Sequence, residues 1–391
     1  MASHAAGPFV FNYQLARIAI NTRLVLDRRM DGMAWFAYET AHRMAKAHPE
    51  HEFHLIFDRK PGKMFERGKN IFFHVLPPQA RRPVLMKFWF DHSIPWVLRK
   101  IKADVFVSPD AQCSLRTEVP QLLVIHDLNF AHEPRALPKV YAKFLNNMTP
   151  RWVAKAERIA TVSKYSKSDI AEMYKRPAKD IDVVYNGIHS LYRPIAESKS
   201  DAVRSKWTKG KPYFIVVGSV HPRKNLQRVI PAFVQFKKAT GSDAKLVVVG
   251  EKFWSDKQLK KILDDARKNT DIVFTGHVGI ADLAELVGGA FSSVYASTFE
   301  GFGIPIVEAF ACHVPVITSN VTSMPEVAGD AALLVDPMHV SDIAEAMIRM
   351  WENESLRKQL VEKGKKKVEE YSWEKTAELL WQSIEKILRL S

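Results

Sequence analysis

Two glutamates eight positions apart, Glu300 and Glu308, bracket the run Gly301-Phe302-Gly303-Ile304-Pro305, which follows a strand-like run and opens an apolar helical pattern. Strand, glycine turn and helix in that order expose the free N–H groups and positive dipole end of a helix N-terminus, a natural anion site, and Pro is favoured at the first helical position. Gly301 and Gly303 let the backbone approach a ligand without a side-chain clash. A phosphate or a sugar oxygen can then lie against Phe302, Gly303 and Ile304. The two carboxylates are expected to face one cleft and to accept hydrogen bonds from vicinal hydroxyls, each worth roughly 1.5–3 kcal/mol when charge-assisted. Glutamates at this spacing and a lone Gly-x-Gly are common elsewhere, so the strand-turn-helix order carries the reading.

A second stretch, Gly218-Ser219-Val220-His221-Pro222-Arg223-Lys224-Asn225, lies between an apolar strand pattern and a helical one. Arg223 as a fork and Lys224 as a point charge suit a diphosphate at the mouth of a sheet; a solvated basic loop is the plain alternative. His126-Asp127 ends the run Leu122 to Ile125 and puts an imidazole at a strand's carboxyl end, suited to acid–base work or to a polar contact. His42, His48, His51 and His54 read as surface or strand residues with no metal-ligand spacing. Asp180-Ile181-Asp182 precedes a strand rather than following one and reads as solvated strand-edge charge, so no metal is expected.

The elements that must hold these residues follow from periodicity. Strands are expected over 17–26, 52–57, 71–76, 104–108, 121–126, 158–163 and 182–185, with helices over 34–46 and 139–156 between them. Several runs are nearly all apolar, as strands covered on both faces are. After Asn186-Gly187 comes a polar stretch, AESKSDAVRSKWTKGK, and the alternation then restarts with strands over 213–217, 245–249, 272–274, 293–296, 314–318 and 332–335. The fold class expected is α/β: two doubly wound, Rossmann-like units, 1–190 and 191–372, facing each other across a cleft at the carboxyl ends of their strands. An amphipathic helix over about 373–391 can pack back on either unit.

Composition sets the bounds. The 391 residues are 47 % hydrophobic and 26 % charged, enough for a sizeable core and far from low complexity. Cys113 and Cys312 form neither a disulfide framework nor a zinc pattern, which suits a reducing, cytoplasmic setting. No apolar run approaches the roughly 20 residues of a membrane span, and residues 1–15 lack the pattern of a secretory signal. The net charge of +14 is uneven: residues 1–190 hold 29 basic and 18 acidic side chains, residues 191–391 hold 28 and 25. Such a field favours an anionic partner or simply solubilises the surface. Arg81-Arg82-Pro83-Val84-Leu85-Met86-Lys87-Phe88-Trp89-Phe90, then Trp96, Arg99, Lys100 and Lys102, mixes basic and aromatic residues as interfacial segments do, which supports peripheral contact with an anionic membrane; a helix packed on the sheet is the alternative.

The segments FIVVGSVHPRKNL, LVVVGE, IVFTGHV and YASTFEGFGIPIVEAFACHVPVITSNVTSMPEVAGDAALLVDP make the chain, over roughly 158–337, resemble the retaining glycosyltransferases of family 4, which have the two-domain GT-B fold. The resemblance implies a nucleotide-sugar donor, bound by 191–372, and a saccharide or lipid-linked saccharide acceptor, bound by 1–190, in polysaccharide or glycolipid assembly, with a mannosyl donor slightly favoured. It implies Glu308 on the nucleotide ribose, Glu300 on the donor-sugar hydroxyls, and Arg223 with Lys224 on the diphosphate beside Gly218 and Ser219. The backbone of Gly301, Phe302, Gly303 and Ile304 would meet the sugar and phosphate, that near His277 and Val278 the base, and His126 would lie close to the reacting sugar. No cofactor or metal is implied. Where family members carry a Gly-Gly loop after the first strand, this chain has only Gly32, expected near the phosphates or the acceptor; His313 replaces the usual Gly after Ala-Cys. A sugar-nucleotide epimerase of similar architecture is the main alternative. A nucleic-acid binder lacks any recognisable recognition motif, and a dehydrogenase lacks Gly-x-Gly-x-x-Gly.

Overall fold

Seven parallel strands make the first sheet: β1 (Arg17–Asn21), β2 (Glu52–Phe57), β3 (Ile71–Val75), β4 (Val105–Ser108), β5 (Gln121–Ile125), β6 (Arg158–Thr161) and β7 (Ile181–Val183), in the order β3-β2-β1-β4-β5-β6-β7. Six more make the second: β8 (Tyr213–Val217), β9 (Lys245–Val249), β10 (Ile272–Gly276), β11 (Ser292–Tyr295), β12 (Val316–Ser319) and β13 (Ala332–Val335), in the order β10-β9-β8-β11-β12-β13. The coordinates are a computed structural model that describes residues 15–26, 30–62, 64–65, 68–134, 137–251 and 257–389. Each sheet reverses its strand order once, between β1 and β4 and between β8 and β11, and ligands of open α/β sheets bind outside the strand ends at such points. The two Rossmann-like sheets expected from the alternation are present, with a cavity of about 560 Å³ lined from both.

Strand register explains why the inner runs are apolar throughout. β4 and β5 are buried on every residue, with Phe106, Val107 and Ser108 opposite Gln121, Leu122 and Leu123. The expected first strand, 17–26, is too long. It ends at Asn21 because Val25 N–H turns back to the Thr22 carbonyl, and Val25 is buried from a loop rather than from a strand.

The last helix, Trp373–Leu388, carries buried residues at 373, 377, 380, 381, 384 and 387, a helical stripe. It crosses back to the first sheet, lying against the helix Gly32–Ala47 and against β4, β5 and β6. Each large apolar side chain buried there contributes roughly 1.5–3 kcal/mol. Arg43 pairs with Glu374 at 2.9 Å, Lys386 with Asp182 at 2.7 Å, and Trp381 stacks on His48 at 3.8 Å. Asp182 is therefore not solvated strand-edge charge: Arg158 at 3.0 Å and Lys386 hold it, and its pKa is lowered by them against the opposing effect of burial. His54 lies in β2, and His51, just before that strand, is buried rather than on the surface.

The two halves are joined by hydrogen bonds as well as by the linker. Glu326, on the helix Met324–Ala328, accepts from the backbone N–H of Lys164 at 2.9 Å and Tyr165 at 3.1 Å, and from the Tyr185 hydroxyl at 2.8 Å. It thus serves the helix Lys164–Tyr174 as an acidic partner at its N-terminus. Ser166 Oγ donates to the Gly301 carbonyl at 3.2 Å a few residues on.

Candidate functional site: a cleft with two unlike walls

The C-terminal wall is built by the loops after β8 and β11. After β8 the chain passes Gly218, in a positive-φ conformation of 141°, and enters a short 3-10 turn, Pro222–Lys224, that aims two cations at the cleft. The two loops are tied together where Thr298 N–H donates to the Arg223 carbonyl at 2.8 Å. Glu300 lies between the cations, paired with the Arg223 guanidinium and with Lys224 Nζ at 2.6 Å. Lys224 also donates to the Tyr295 hydroxyl at 2.6 Å. Burial alone would raise the Glu300 pKa, but Arg223 and Lys224 outweigh it and hold the carboxyl at about 2. Burial pushes Lys224 down to about 8, with Glu300 opposing and the neighbouring Arg223 adding to the fall. One anion between two cations leaves a net positive pocket once Lys224 is protonated.

Ser323 Oγ donates to the carbonyls of Glu300 at 2.9 Å and Phe302 at 3.0 Å, fixing the glycine turn from behind. Gly303, with φ 102°, caps the helix Ile304–Ala311, which begins one residue before Pro305. Gly301, which lines the cavity, also has a structural reason to be glycine. A Cβ there would fall 1.9 Å from the His126 carbonyl oxygen, so the backbones of the two halves touch at this point.

The N-terminal wall is assembled from single residues after three strands: Asp31 and Gly32 after β1, Asp110 and Gln112 after β4, His126, Asp127, Asn129 and Phe130 after β5. Asp31 caps the helix Gly32–Ala47 by accepting from Ala34 N–H at 2.9 Å. A Cβ on Gly32 would lie 3.2 Å from Ile304, so the N-termini of two long-range partner helices face each other across the cleft. His126 hydrogen-bonds through Nε2 to the Pro109 carbonyl at 2.9 Å, which places the proton on that nitrogen and leaves Nδ1 as an acceptor. Its ring meets Phe36 edge-on at 5.1 Å, and burial lowers its pKa, so it is a neutral imidazole. Asp110 is held by Arg23 at 2.5 Å and by the Ser108 hydroxyl at 3.1 Å.

Of the residues expected at the site, the cavity brings together Gly32, His126, Ser219, Arg223, Lys224, Glu300, Gly301, Phe302, Gly303 and Ile304. Gly218, His277, Val278 and Glu308 lie outside its lining. Gly218 packs behind it, its carbonyl oxygen 2.1 Å from where a Gly250 Cβ would be. His277 is exposed just beyond the end of β10, with Nδ1 3.0 Å from the Val278 carbonyl. Of the two glutamates, Glu300 lines this cavity and Glu308 lies just outside its lining. Glu308 sits one turn beyond Ile304, about 6 Å along the helix, and is hydrogen-bonded by the Tyr192 hydroxyl from the linker. Burial raises its pKa to about 7, the Tyr192 bond and Lys224 opposing.

Sequence reasoning missed Tyr295, Asp110, Gln112 and Asn129. Only their position just after, or at the end of, strands flanking a switch point could have flagged them. Among the described residues that line the N-terminal wall are Asp31, Asp110 and Asp127 but no Lys or Arg; Arg23 pairs with Asp110 from behind the lining.

Comparison with known proteins matches both halves. "Glycosyltransferase Family 4" matches residues 30–190 and "Glycosyl transferases group 1" matches residues 198–367. The chain is similar to O-antigen chain mannosyltransferase B of Escherichia coli, 30 % identical over 75 % of this chain and 78 % of that protein. It is also similar to O-antigen chain mannosyltransferase RfbU of Salmonella typhimurium, 28 % identical over 73 % and 75 %. Among solved structures it matches Anabaena Alr3699/HepE in complex with UDP and glucose, with a TM-score of 0.72, 15 % identity, and coverage of 95 % of this chain and 100 % of that one. The two-sheet architecture, the matches to both halves and a relative 30 % identical over about three quarters of each chain agree: this chain is a glycosyltransferase of family 4, group 1, with the GT-B fold.

Proposed function

We propose that this glycosyltransferase moves a hexosyl group, a mannosyl group by analogy with its O-antigen relatives, from a nucleotide-sugar to a saccharide or lipid-linked saccharide, retaining the configuration at the transferred carbon. The observation that carries the donor half is the buried Arg223–Glu300–Lys224 cluster opposite a helix N-terminus. As the glycosidic bond breaks, negative charge grows on the leaving nucleoside diphosphate, and preorganised cations in a site shielded from water stabilise it without reorganisation. Arg223 and Lys224 take that role, and a diphosphate entering between them competes with Glu300, freeing its carboxylate for the donor-sugar hydroxyls. Glu308, beside the cavity, takes the ribose hydroxyls in place of Tyr192. Gly218, Ser219, His277 and Val278 extend the groove along the strand ends toward the base. Gly32 closes it from the opposite helix. His126, a neutral imidazole with Nδ1 open, hydrogen-bonds a hydroxyl near the reacting carbon.

The reaction is proposed at the cytoplasmic face of a membrane. No described helix is long and apolar enough to cross one, but the helices Pro83–Phe88 and Ile94–Ile101 expose Val84, Phe88 and Trp96 beside basic residues while burying Met86, Val97 and Leu98. That pattern supports peripheral binding to anionic lipid. Sedimentation with anionic and with neutral liposomes tests it; equal recovery in both supernatants removes the membrane from the proposal.

The donor reading is tested by thermal shift with UDP, GDP, ADP and dTDP, with and without EDTA, on the wild type and on an Arg223→Ala/Lys224→Ala double variant. One nucleotide is expected to raise Tm irrespective of EDTA and to lose its effect in the variant. No shift with any nucleotide at millimolar concentration would sink the donor assignment. Product analysis without acceptor separates transfer from epimerisation.

A further inference from the structure

Residues 163–166 sit where the two halves of the molecule meet. The helix Lys164–Tyr174 begins there, and its first N–H groups have no partner within the helix. Ser163 Oγ, from the same half, accepts from Ser166 N–H at 3.0 Å. The N–H groups of Lys164 and Tyr165 instead donate to the two carboxylate oxygens of Glu326, from the other half, at 2.9 and 3.1 Å. Two oxygens on successive N–H groups at the positive end of a helix fix its rotation as well as its distance. A third bond to Glu326 comes from the Tyr185 hydroxyl at 2.8 Å, in the segment that joins the halves.

What Glu326 grips reaches the cleft directly. Ser166 Oγ lies 3.2 Å from the Gly301 carbonyl oxygen and 3.4 Å from that of His126, so one hydroxyl stands between the glycine turn of one wall and the histidine of the other. The Tyr185 ring is 6.2 Å from Phe302 in that turn, and Tyr371 is edge-on to both, at 5.7 and 5.4 Å. Behind these rings the two segments that cross between the halves lie against each other. Thr376 Oγ1 donates to the Tyr185 carbonyl at 2.7 Å, and a Cβ on Gly187 would fall 2.3 Å from Trp373 N. Two adjoining crossings form a hinge, and Glu326 ties that hinge to the helix that would swing. We propose that Glu326 is a positioning residue for the transfer reaction: its carboxylate clasps the helix Lys164–Tyr174 and the linker, and so sets the separation of the two walls between which the sugar passes. It is absent from the cavity lining and acts only through the groups it holds. This rests on the reading of the cleft as the place of transfer and adds the residue that keeps its walls at working distance. Lys164 is exposed and Tyr165 half-buried, so water takes over their N–H groups when the carboxylate is removed, and the halves part without unfolding.

The test needs no substrate. Nitroxide labels on Lys46→Cys and Lys238→Cys, exposed positions on the helices Gly32–Ala47 and Leu226–Thr240, report the distance between the halves by double electron–electron resonance; the native Cys113 and Cys312 are buried. The labelled chain with Glu326 intact is expected to give one narrow distance. Glu326→Ala, which loses all three bonds, should shift most molecules to a longer one. Glu326→Gln, which keeps one acceptor oxygen, and Tyr185→Phe, which loses one bond of the three, should show the longer distance only as a minor population; they also serve should Glu326→Ala not fold. GDP and UDP are titrated into each chain by thermal shift. Whichever raises the Tm of the parent should bind Glu326→Ala with a Kd within about twofold, because the C-terminal wall is untouched. A lower Tm with superimposable distances in Glu326→Ala would make Glu326 a merely structural residue and overturn the proposal, as would superimposable distances in both milder variants if Glu326→Ala does not fold. So would a parent chain whose distances are already broad, since nothing would then be holding the walls. Absence of any nucleotide shift in the parent would instead undo the donor reading and leave the distances, which need no ligand, to decide on the clasp.

Discussion

The two walls of the cleft differ in charge, in construction and in how much of each is already satisfied. The C-terminal wall is two contiguous loops whose side chains are saturated with one another: Glu300 with Arg223 and Lys224, and Lys224 with Tyr295. The N-terminal wall is scattered over residues 31–186, carries Asp31, Asp127 and an Asp110 paired with Arg23, and holds buried carboxamide oxygens of Gln112, Asn129 and Asn186 that have no hydrogen-bond partner. The lesson concerns ligands as much as folds. A wall of paired charges suits an ion that can displace one partner, whereas a wall assembled from distant segments is shaped by the fold of the whole sheet.

The sharpest way to break the comparison is at the point where the walls touch. Gly301→Ala places a methyl group against the His126 carbonyl, forces the walls apart, and should lower transfer kcat by about a hundredfold, since a misplacement of about 1 Å costs that much. Near-wild-type steady-state rates would show that the contact has no bearing on chemistry. Next in size, Arg223→Ala and Lys224→Ala, measured singly by calorimetry, should each weaken the nucleoside diphosphate by about tenfold to a hundredfold, from the roughly 1.5–3 kcal/mol of a hydrogen bond to a charged group. Acceptor KM should stay put; a parallel rise would mean that the walls do not divide the labour.

Two pH experiments carry smaller effects. Lys224, lowered to about 8 mainly by burial, is charged below that pH and neutral above it. Diphosphate affinity should therefore fall as pH rises through 8, at most about tenfold per unit, and Lys224→Arg should flatten the profile. Glu308 has its pKa raised to about 7 by burial, so the native state keeps a proton there that the unfolded state gives up near the ordinary value of 4.5. Stability from this group is fully present below about pH 4.5 and is lost as pH rises to about 7, with no further loss above. The difference in Tm between Glu308→Gln and the wild type should grow across that interval and then level off. A flat difference would place the carboxylate in contact with solvent.

How much of this was readable beforehand follows the same division. The donor wall could be read because its working residues sit inside unbroken stretches, GSVHPRKN and TFEGFGIP, each bounded by a strand and a helix. Asp31, Gln112 and Asn129 are brought together only by the order of β1, β4 and β5 in the sheet, and nothing in their own neighbourhoods marks them. Helical spacing identified the apolar stripe of Trp373–Leu388, and a return to the first unit was one of the two packings it allowed, but it did not identify the side chains that receive the helix. Those include Arg43, Asp182 and His48, more than 190 positions away.

The return of that last helix bears on the order in which the molecule can be made. The second sheet and its covering helices come from one continuous length of chain and are complete once it has left the ribosome. The first sheet is synthesised earlier, yet the face that receives Trp373, Leu380 and Ile384 stays bare until the closing helix emerges. The half translated first is therefore finished last, and during that delay its exposed apolar face is the part of the nascent chain that most needs a chaperone.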